Sequence, residues 1–203
     1  MPNRVCGLMP YVLPVALACA ACSGVDSDEQ AHRAFLALDQ SIVRTLNLAF
    51  QGFNMATNTT IAPQTAEGNH GGTLTVDGTI EQSAAMKTLR LDVAMVGYDD
   101  GDVLFNDSDT VHVKFDTATD ATMLPHLDLA LTTNAFSGTL DANASMTGLY
   151  QLRGDLTGTL ALDVMISGYT MVGNGTERVP GSTQIVGTAT NGDGGVFEIN
   201  ITR

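Results

Sequence analysis

Cysteine is absent from most of this chain. All three cysteines lie within the first 22 of its 203 residues. The remainder of the chain therefore cannot form a disulfide or a cysteine-based zinc site. Tryptophan is absent and aromatic residues make up only 5% of the sequence, which disfavours stacking surfaces for sugars or bases. The folded part must accordingly draw its stability from an apolar core.

Basic residues are also scarce. Nine lysines and arginines stand against 22 aspartates and glutamates, which gives a formal net charge of −13 at pH 7. Such a charge is repelled by nucleic acid and by anionic membrane surfaces, so we expect no nucleic-acid partner. The length suits one domain with a core of its own.

The first 21 residues carry one charged side chain, Arg4, and then an apolar run that Pro10 and Pro14 interrupt. A short basic start, an apolar stretch and a small-residue exit are typical of a secretory signal. The run is shorter than the ~20 apolar residues that a membrane-spanning helix needs, and its prolines weaken a helix. We interpret residues 1–21 as a signal peptide.

The stretch Cys19-Ala20-Ala21-Cys22 resembles a bacterial lipobox, in which small residues precede a cysteine. The resemblance, which is specific only over residues 1–22, implies a β-rich membrane lipoprotein whose mature N-terminus, Cys22, carries a diacylglycerol. Acylation would remove a free thiol from an oxidising compartment. Cleavage before Cys19 is an alternative, and an ordinary cut after Ala20 would release a soluble protein.

The same resemblance implies a location. By analogy with Gram-negative lipoproteins, Ser23 after the lipidated cysteine favours the outer membrane. We expect a lipid anchor in the cell envelope of a Gram-negative bacterium, with a secreted or periplasmic soluble protein as the alternative. The membrane is then a partner through the anchor, and no residue identifies a further protein or apolar-ligand partner.

The mature chain begins with helical periodicity. Residues 22–27 are a polar tether, and a helix is predicted over 28–53, with Ser27 and Gln30 forming a capping box. Its apolar residues recur at helical spacing, which predicts packing on a sheet. Gly52 is the expected helix stop. Residues 54–71 are polar and rich in turn formers, so we interpret them as a linker.

From residue 72 to residue 203 the period changes to two. Apolar residues alternate with polar ones in several runs, as in Leu89-Arg90-Leu91-Asp92-Val93 and Leu127-Asp128-Leu129-Ala130-Leu131. This pattern is typical of antiparallel sheet with one solvated face. We predict a mainly β fold, in which an antiparallel meander of about eight to ten strands forms a curved sheet, barrel or sandwich and the helix packs on it.

The densest cluster of charge is YDDGDVLFNDSD, residues 98–109, and it contains five aspartates. They are Asp99, Asp100, Asp102, Asp107 and Asp109. Calcium binds six to eight oxygens from loops of this kind, so these residues are candidate calcium ligands. Their spacing departs from the usual calcium loop, and a solvated acidic turn is the alternative. No other cofactor is expected.

Catalytic motifs do not stand out. The four histidines, His32, His70, His112 and His126, have no metal-ligand spacing, and no nucleophile elbow or phosphate-binding loop is present. We expect no enzyme activity and assign no catalytic residue.

Three functions remain open. The first is a non-catalytic envelope lipoprotein, a binding or scaffolding module of unknown ligand. The second is a carrier of an apolar or acyl ligand in a curved-sheet cavity lined by Met95, Met146 and Met165. The third is a secreted hydrolase without a recognisable motif.

Overall fold

A computed structural model of the chain describes residues 24–82, 87–134, 139–172, 177–178 and 180–203. The predicted signal peptide and Cys22 lie outside these residues. The described part is mainly antiparallel β-structure with one helix before the strands, which confirms the predicted fold class.

Helix α1 spans Asp28–Met55 and begins at the predicted cap. Ser27 Oγ accepts a hydrogen bond from the N–H of Gln30 at 3.2 Å, and Gln30 Oε1 accepts one from the N–H of Asp26 at 2.6 Å. The prediction that Gly52 ends the helix is wrong, since the helix continues to Met55. Gly52 instead permits close packing, because a Cβ there would lie 2.6 Å from Cγ2 of Ile61.

The predicted tether, residues 22–27, is shorter than expected because the folded domain already includes Val25. The Val25 side chain is buried, and its carbonyl accepts a hydrogen bond from Nδ2 of Asn191 at 2.9 Å. Burial of a valine side chain stabilises a fold by about 1.5–3 kcal/mol. The chain is therefore fixed three residues after Cys22.

Eleven strands follow α1 in the described residues. Their bounds are β1 Thr60–Glu67, β2 Gly71–Gln82, β3 Lys87–Asp99, β4 Asp102–Asn106, β5 Asp109–Asp116, β6 His126–Asn134, β7 Thr139–Gly154, β8 Gly158–Val172, β9 Glu177–Arg178, β10 Gln184–Asn191 and β11 Val196–Thr202. A 3-10 turn, Ala121–Met123, separates β5 from β6.

The strands pair in the order β1-β2-β3-β5-β7-β8-β10-β11, and every pairing is antiparallel. Both β5 and β6 lie between β3 and β7. β6 pairs with β3 and with β7 along a different part of these two strands from the part that β5 contacts. Outside this order, β9 pairs with β8 and β4 pairs with β5. The sheet curls without forming a clean barrel.

The polar linker predicted over residues 54–71 contains a strand, so this prediction is wrong for Thr60–Glu67. β1 lies at one end of the strand order and buries one apolar side chain, Ile61. It tolerates Pro63 because an edge strand has a free side, and the pairing with β2 shifts register between Ile61 and Gln64. Such a strand has little periodic signal in its sequence.

The core lies between the sheet and α1. The predicted inward residues of β3 and β6, from Leu89 to Met95 and from Leu127 to Leu131, are buried in one cluster with helix residues such as Phe35 and Leu38. Residues 34–39 of the helix are all buried, so this stretch is enclosed on every side. The helix contacts β1 and β11, the two ends of the strand order, as well as β2, β4 and β5.

Candidate functional site: the acidic turn between β3 and β4

Asp99, Asp100 and Asp102 lie where β3 ends and the β4–β5 hairpin begins, whereas Asp107 and Asp109 lie at the other end of β4, in and after the β4–β5 turn. Asp99 closes β3, Asp102 opens β4 and Asp109 opens β5. Gly101 turns the chain with a φ of +87°, a conformation that favours glycine. The Asp99 side chain accepts a hydrogen bond from the N–H of Gly101 at 2.9 Å, which fixes this turn.

Asp99 is a buried carboxylate whose oxygens are all engaged by the chain. Oδ1 also lies 2.9 Å from Nε2 of His112, and Oδ2 lies 2.9 Å from Nζ of Lys114. Burial alone would raise the pKa of Asp99, but the Lys114 and Gly101 hydrogen bonds and the charges of His112 and Lys114 bring the pKa below its ordinary value. The group is therefore held as an ion inside a structural cluster.

Asp100 faces the other way, towards α1 and the β1–β2 turn. It accepts hydrogen bonds from the hydroxyl of Tyr98 at 2.5 Å and from the N–H of Asn69 at 3.2 Å, and it pairs with Arg44 at 3.3 Å. Burial, and then the Asp100 carboxylate, raise the pKa of the Tyr98 hydroxyl. Arg44 also binds the Glu67 carbonyl, so these contacts connect the helix to two turns.

The other three aspartates do not converge with the first two on a common point. Asp102 lies 3.0 Å from Nδ1 of His112, Asp109 pairs with Arg33, and Asp107 lies in the turn between β4 and β5. Within the described ranges no group of three or more histidine, cysteine, aspartate or glutamate side chains is arranged to hold a metal ion. The calcium interpretation therefore has no support in the geometry, because a cation site needs oxygens that face one centre.

His112 is more engaged than an isolated surface histidine would be. Its ring lies between Asp99 and Asp102, and its centroid is 6.3 Å from that of His70. The backbone N–H of His112 donates to Asp155 at 2.8 Å. This cluster was not predicted from the sequence, although the hairpin register that pairs Asp102 with His112 is the signal that could have revealed it.

The arrangement of His112 is poorly suited to acid–base catalysis. A general base needs a ring nitrogen that is free to reach the proton of a substrate. Both nitrogens of His112 instead face carboxylate oxygens of this chain, at 2.9 and 3.0 Å. The geometry gives no positive support to the hydrolase alternative.

The other two histidines lie in separate places. His126 Nδ1 is 2.5 Å from Asp92 on the solvated face of the sheet. The His32 ring meets Phe105 edge to face, at a centroid distance of 5.5 Å. Burial, and then the charge of Arg203, lower the pKa of His32.

A second buried charge cluster joins α1 to β9 and to Arg203, which follows β11. Asp39 accepts two hydrogen bonds from Arg178, at 2.8 and 2.9 Å, and one from Nε of Arg203 at 3.3 Å. The Asp39 and Arg178 side chains are 7% and 10% exposed, and that of Arg203 is 35% exposed. This cluster has the bidentate geometry of a strong ion pair.

The concave face of the sheet holds the helix. Met95 and Met146 are buried in the shared core, as a lining role requires, but Met165 is 57% exposed on the outer face, so its predicted lining role is wrong. Open depressions of about 340–410 Å³ occur on the surface, and polar residues contribute to the lining of each. None of these features favours an acyl-ligand carrier, which needs an enclosed apolar cavity.

Comparison with protein-family models, with curated proteins and with solved structures found no match to this chain. Among the described residues, no helix has the length and apolar character needed to cross a membrane. Because no relative was found, this chain is classified by its fold alone. The fold is a curled antiparallel sheet closed over an N-terminal helix.

Proposed function

We propose that this chain is a lipid-anchored, non-catalytic module of the Gram-negative cell envelope, held in the outer membrane through Cys22. The lipobox-like stretch before Cys22 is the sequence feature that motivates the proposal. Its role at the membrane is to present a rigid β-rich surface for binding or scaffolding.

The observation that carries the proposal is where the fold begins. Val25 belongs to the core and Ser27 caps α1, so cleavage before Cys22 leaves every described element intact. A cut only a few residues later would remove a buried side chain. The mature domain that follows contains no cysteine after Cys22, as expected if the one remaining thiol is used for acylation.

The polar clusters support the non-catalytic part of the proposal. The buried carboxylates Asp39 and Asp99 are both neutralised by basic side chains of the chain itself. Such pairs contribute to specifying one fold, whereas a catalytic group needs access to a substrate.

The test is the mass of the protein extracted from its own membranes. We expect a mature chain that begins at Cys22 and carries added acyl mass. The Cys22→Ala variant should lose the acyl mass and the membrane association, because no thiol remains at that position. The matched Cys19→Ala variant should retain both, since it removes the neighbouring thiol inside the signal. An unmodified mature chain beginning near Ala21 would contradict the proposal, and loss of lipid only in Cys19→Ala would move the anchor to Cys19.

A further inference from the structure

We propose that the end of the domain formed by the β7–β8 and β10–β11 turns rests on the surface of the bilayer to which the chain is anchored. The inference rests on the lipid anchor of the proposed function. It adds which face of the domain meets the lipid, and therefore which way the domain points.

The first step is the length of chain between the anchor and the fold. Cys22 precedes the buried Val25 by three residues. A fully extended residue spans at most 3.3–3.6 Å, so the two Cα atoms are no more than about 11 Å apart. A longer tether would let the domain tumble freely above the membrane, whereas this one holds it close to the lipid headgroups.

The second step is what surrounds the start of the fold. Residues 24–26 line an open depression of about 360 Å³ together with Gln151, residues 157–159 and residues 191–193. These neighbours lie in or next to the β7–β8 turn and the β10–β11 turn. The two turns lie at the same end of the sheet, because Asn191 pairs with Leu160 at the start of β8.

The third step is the composition of the outer face beside these turns. One cross-strand row there consists of Leu149, Ala161, Thr190 and Val196. The row is uncharged, and Leu149 and Val196 expose 42% and 63% of their surface. The next row away from the turns carries Asp163 and Glu198. The uncharged row thus lies between this charged row and the two turns, where a bilayer interface would cover its exposed apolar side chains.

The rim of this end also determines the kind of lipid it fits. Asp26 and Asp193 are exposed beside the depression. Carboxylates repel anionic headgroups, so the surface fits zwitterionic phospholipid and not an acidic one.

Tryptophan fluorescence can test the orientation, because the chain contains no tryptophan of its own. Val196→Trp places the probe at the proposed contact, and Thr202→Trp places it on the same strand and the same outer face at the other end. Six residues of strand separate the two positions by about 20 Å. Each variant, beginning at Cys22, is coupled through its only thiol to a maleimide phospholipid in phosphatidylcholine vesicles that contain nitroxide-labelled phosphatidylcholine. The acylated variants extracted from membranes are reconstituted in the same lipid.

We expect the nitroxide lipid to quench the Val196→Trp probe several-fold more strongly than the Thr202→Trp probe. Equal quenching of the two probes, or stronger quenching of the Thr202→Trp probe, would overturn the inference. Replacing part of the lipid by an anionic phospholipid should reduce the difference, and an increase would contradict the role given to Asp26 and Asp193. A membrane extract without acyl mass refutes the proposed anchor, while the maleimide-coupled sample still reports separately which end faces the lipid.

Discussion

Removing Asp39 is the sharpest test of how the helix is held inside the sheet. The Asp39→Ala variant deletes the acceptor of three hydrogen bonds and leaves the guanidinium of Arg178 buried without its carboxylate partner. Arg203 is affected less, because its side chain is 35% exposed and water can solvate it.

The expected loss follows from three contributions. Breaking a buried ion pair by removing one partner costs about 3–5 kcal/mol, and the partly exposed Arg203 contact adds at most about 1 kcal/mol. Alanine gains roughly 0.5 kcal/mol of helix propensity over aspartate. The net loss is about 3–5 kcal/mol, which is a large part of the ~5–15 kcal/mol that stabilises an ordinary domain.

Urea-induced unfolding of the chain from residue 24 onward, followed by far-UV circular dichroism, measures this loss. The double variant Asp39→Leu/Arg178→Met should lie close to the wild type, because replacing a buried pair by apolar groups is often neutral. Asp128→Ala is the control, since it removes an ion pair with Arg90 on the exposed face and should change nothing measurable. A loss no larger than that of the control, or a double variant less stable than Asp39→Ala, would refute the reasoning.

The remaining predictions concern the acidic turn and the helix. Because the pKa of Asp99 in the folded state lies below its ordinary value of 3.8, its stabilisation is complete above that value and is lost as the pH falls through the lower, folded-state pKa. Asp99→Asn should therefore destabilise the domain most near neutral pH. If the difference in unfolding free energy between the wild type and this variant stayed the same in acid, the prediction would be contradicted. Gly52→Ala should also destabilise the domain. Overpacking against Ile61 costs about 1–3 kcal/mol, and the higher helix propensity of alanine offsets about 1 kcal/mol of this cost. Gln51→Ala, on the exposed side of the same turn, is its control, and equal midpoints for the two variants in urea would disprove the contact.

The parts of the fold that the sequence predicted are those where inward residues are large and regularly spaced. Strands β3, β6 and β8 bury leucine, valine or isoleucine at every second position, and period two was visible there. β10 was not recognised because its inward positions include Gly187 and Ala189 beside Ile185. Gly187 is needed there because a Cβ would lie 2.1 Å from the carbonyl of Asp163 on the neighbouring strand.

The candidate site was only half predictable for a related reason. The acidic residues at 99–109 are adjacent in sequence, so their accumulation was visible, but their partners come from elsewhere in the chain. Arg33 is 76 positions from Asp109, and in the second charge cluster Arg178 is 139 positions from Asp39. The charges in the sequence do not reveal such pairs. Neither composition nor local periodicity indicates which basic side chain the folded chain brings to which carboxylate.

The position of α1 also has a consequence for when this domain can fold. The N-terminal segment is the first to be made, yet its contacts come from the last strands: Val25 binds Asn191, and Asp28 accepts a hydrogen bond from the N–H of Glu198, 170 positions away. A sheet that wraps around its own first element cannot bury that element until β10 and β11 have arrived. Contacts of such long range fold slowly, because loop closure must precede their gain. If the proposed anchor at Cys22 is correct, the N-terminus would be held at the membrane first and the sheet would then close around the helix there.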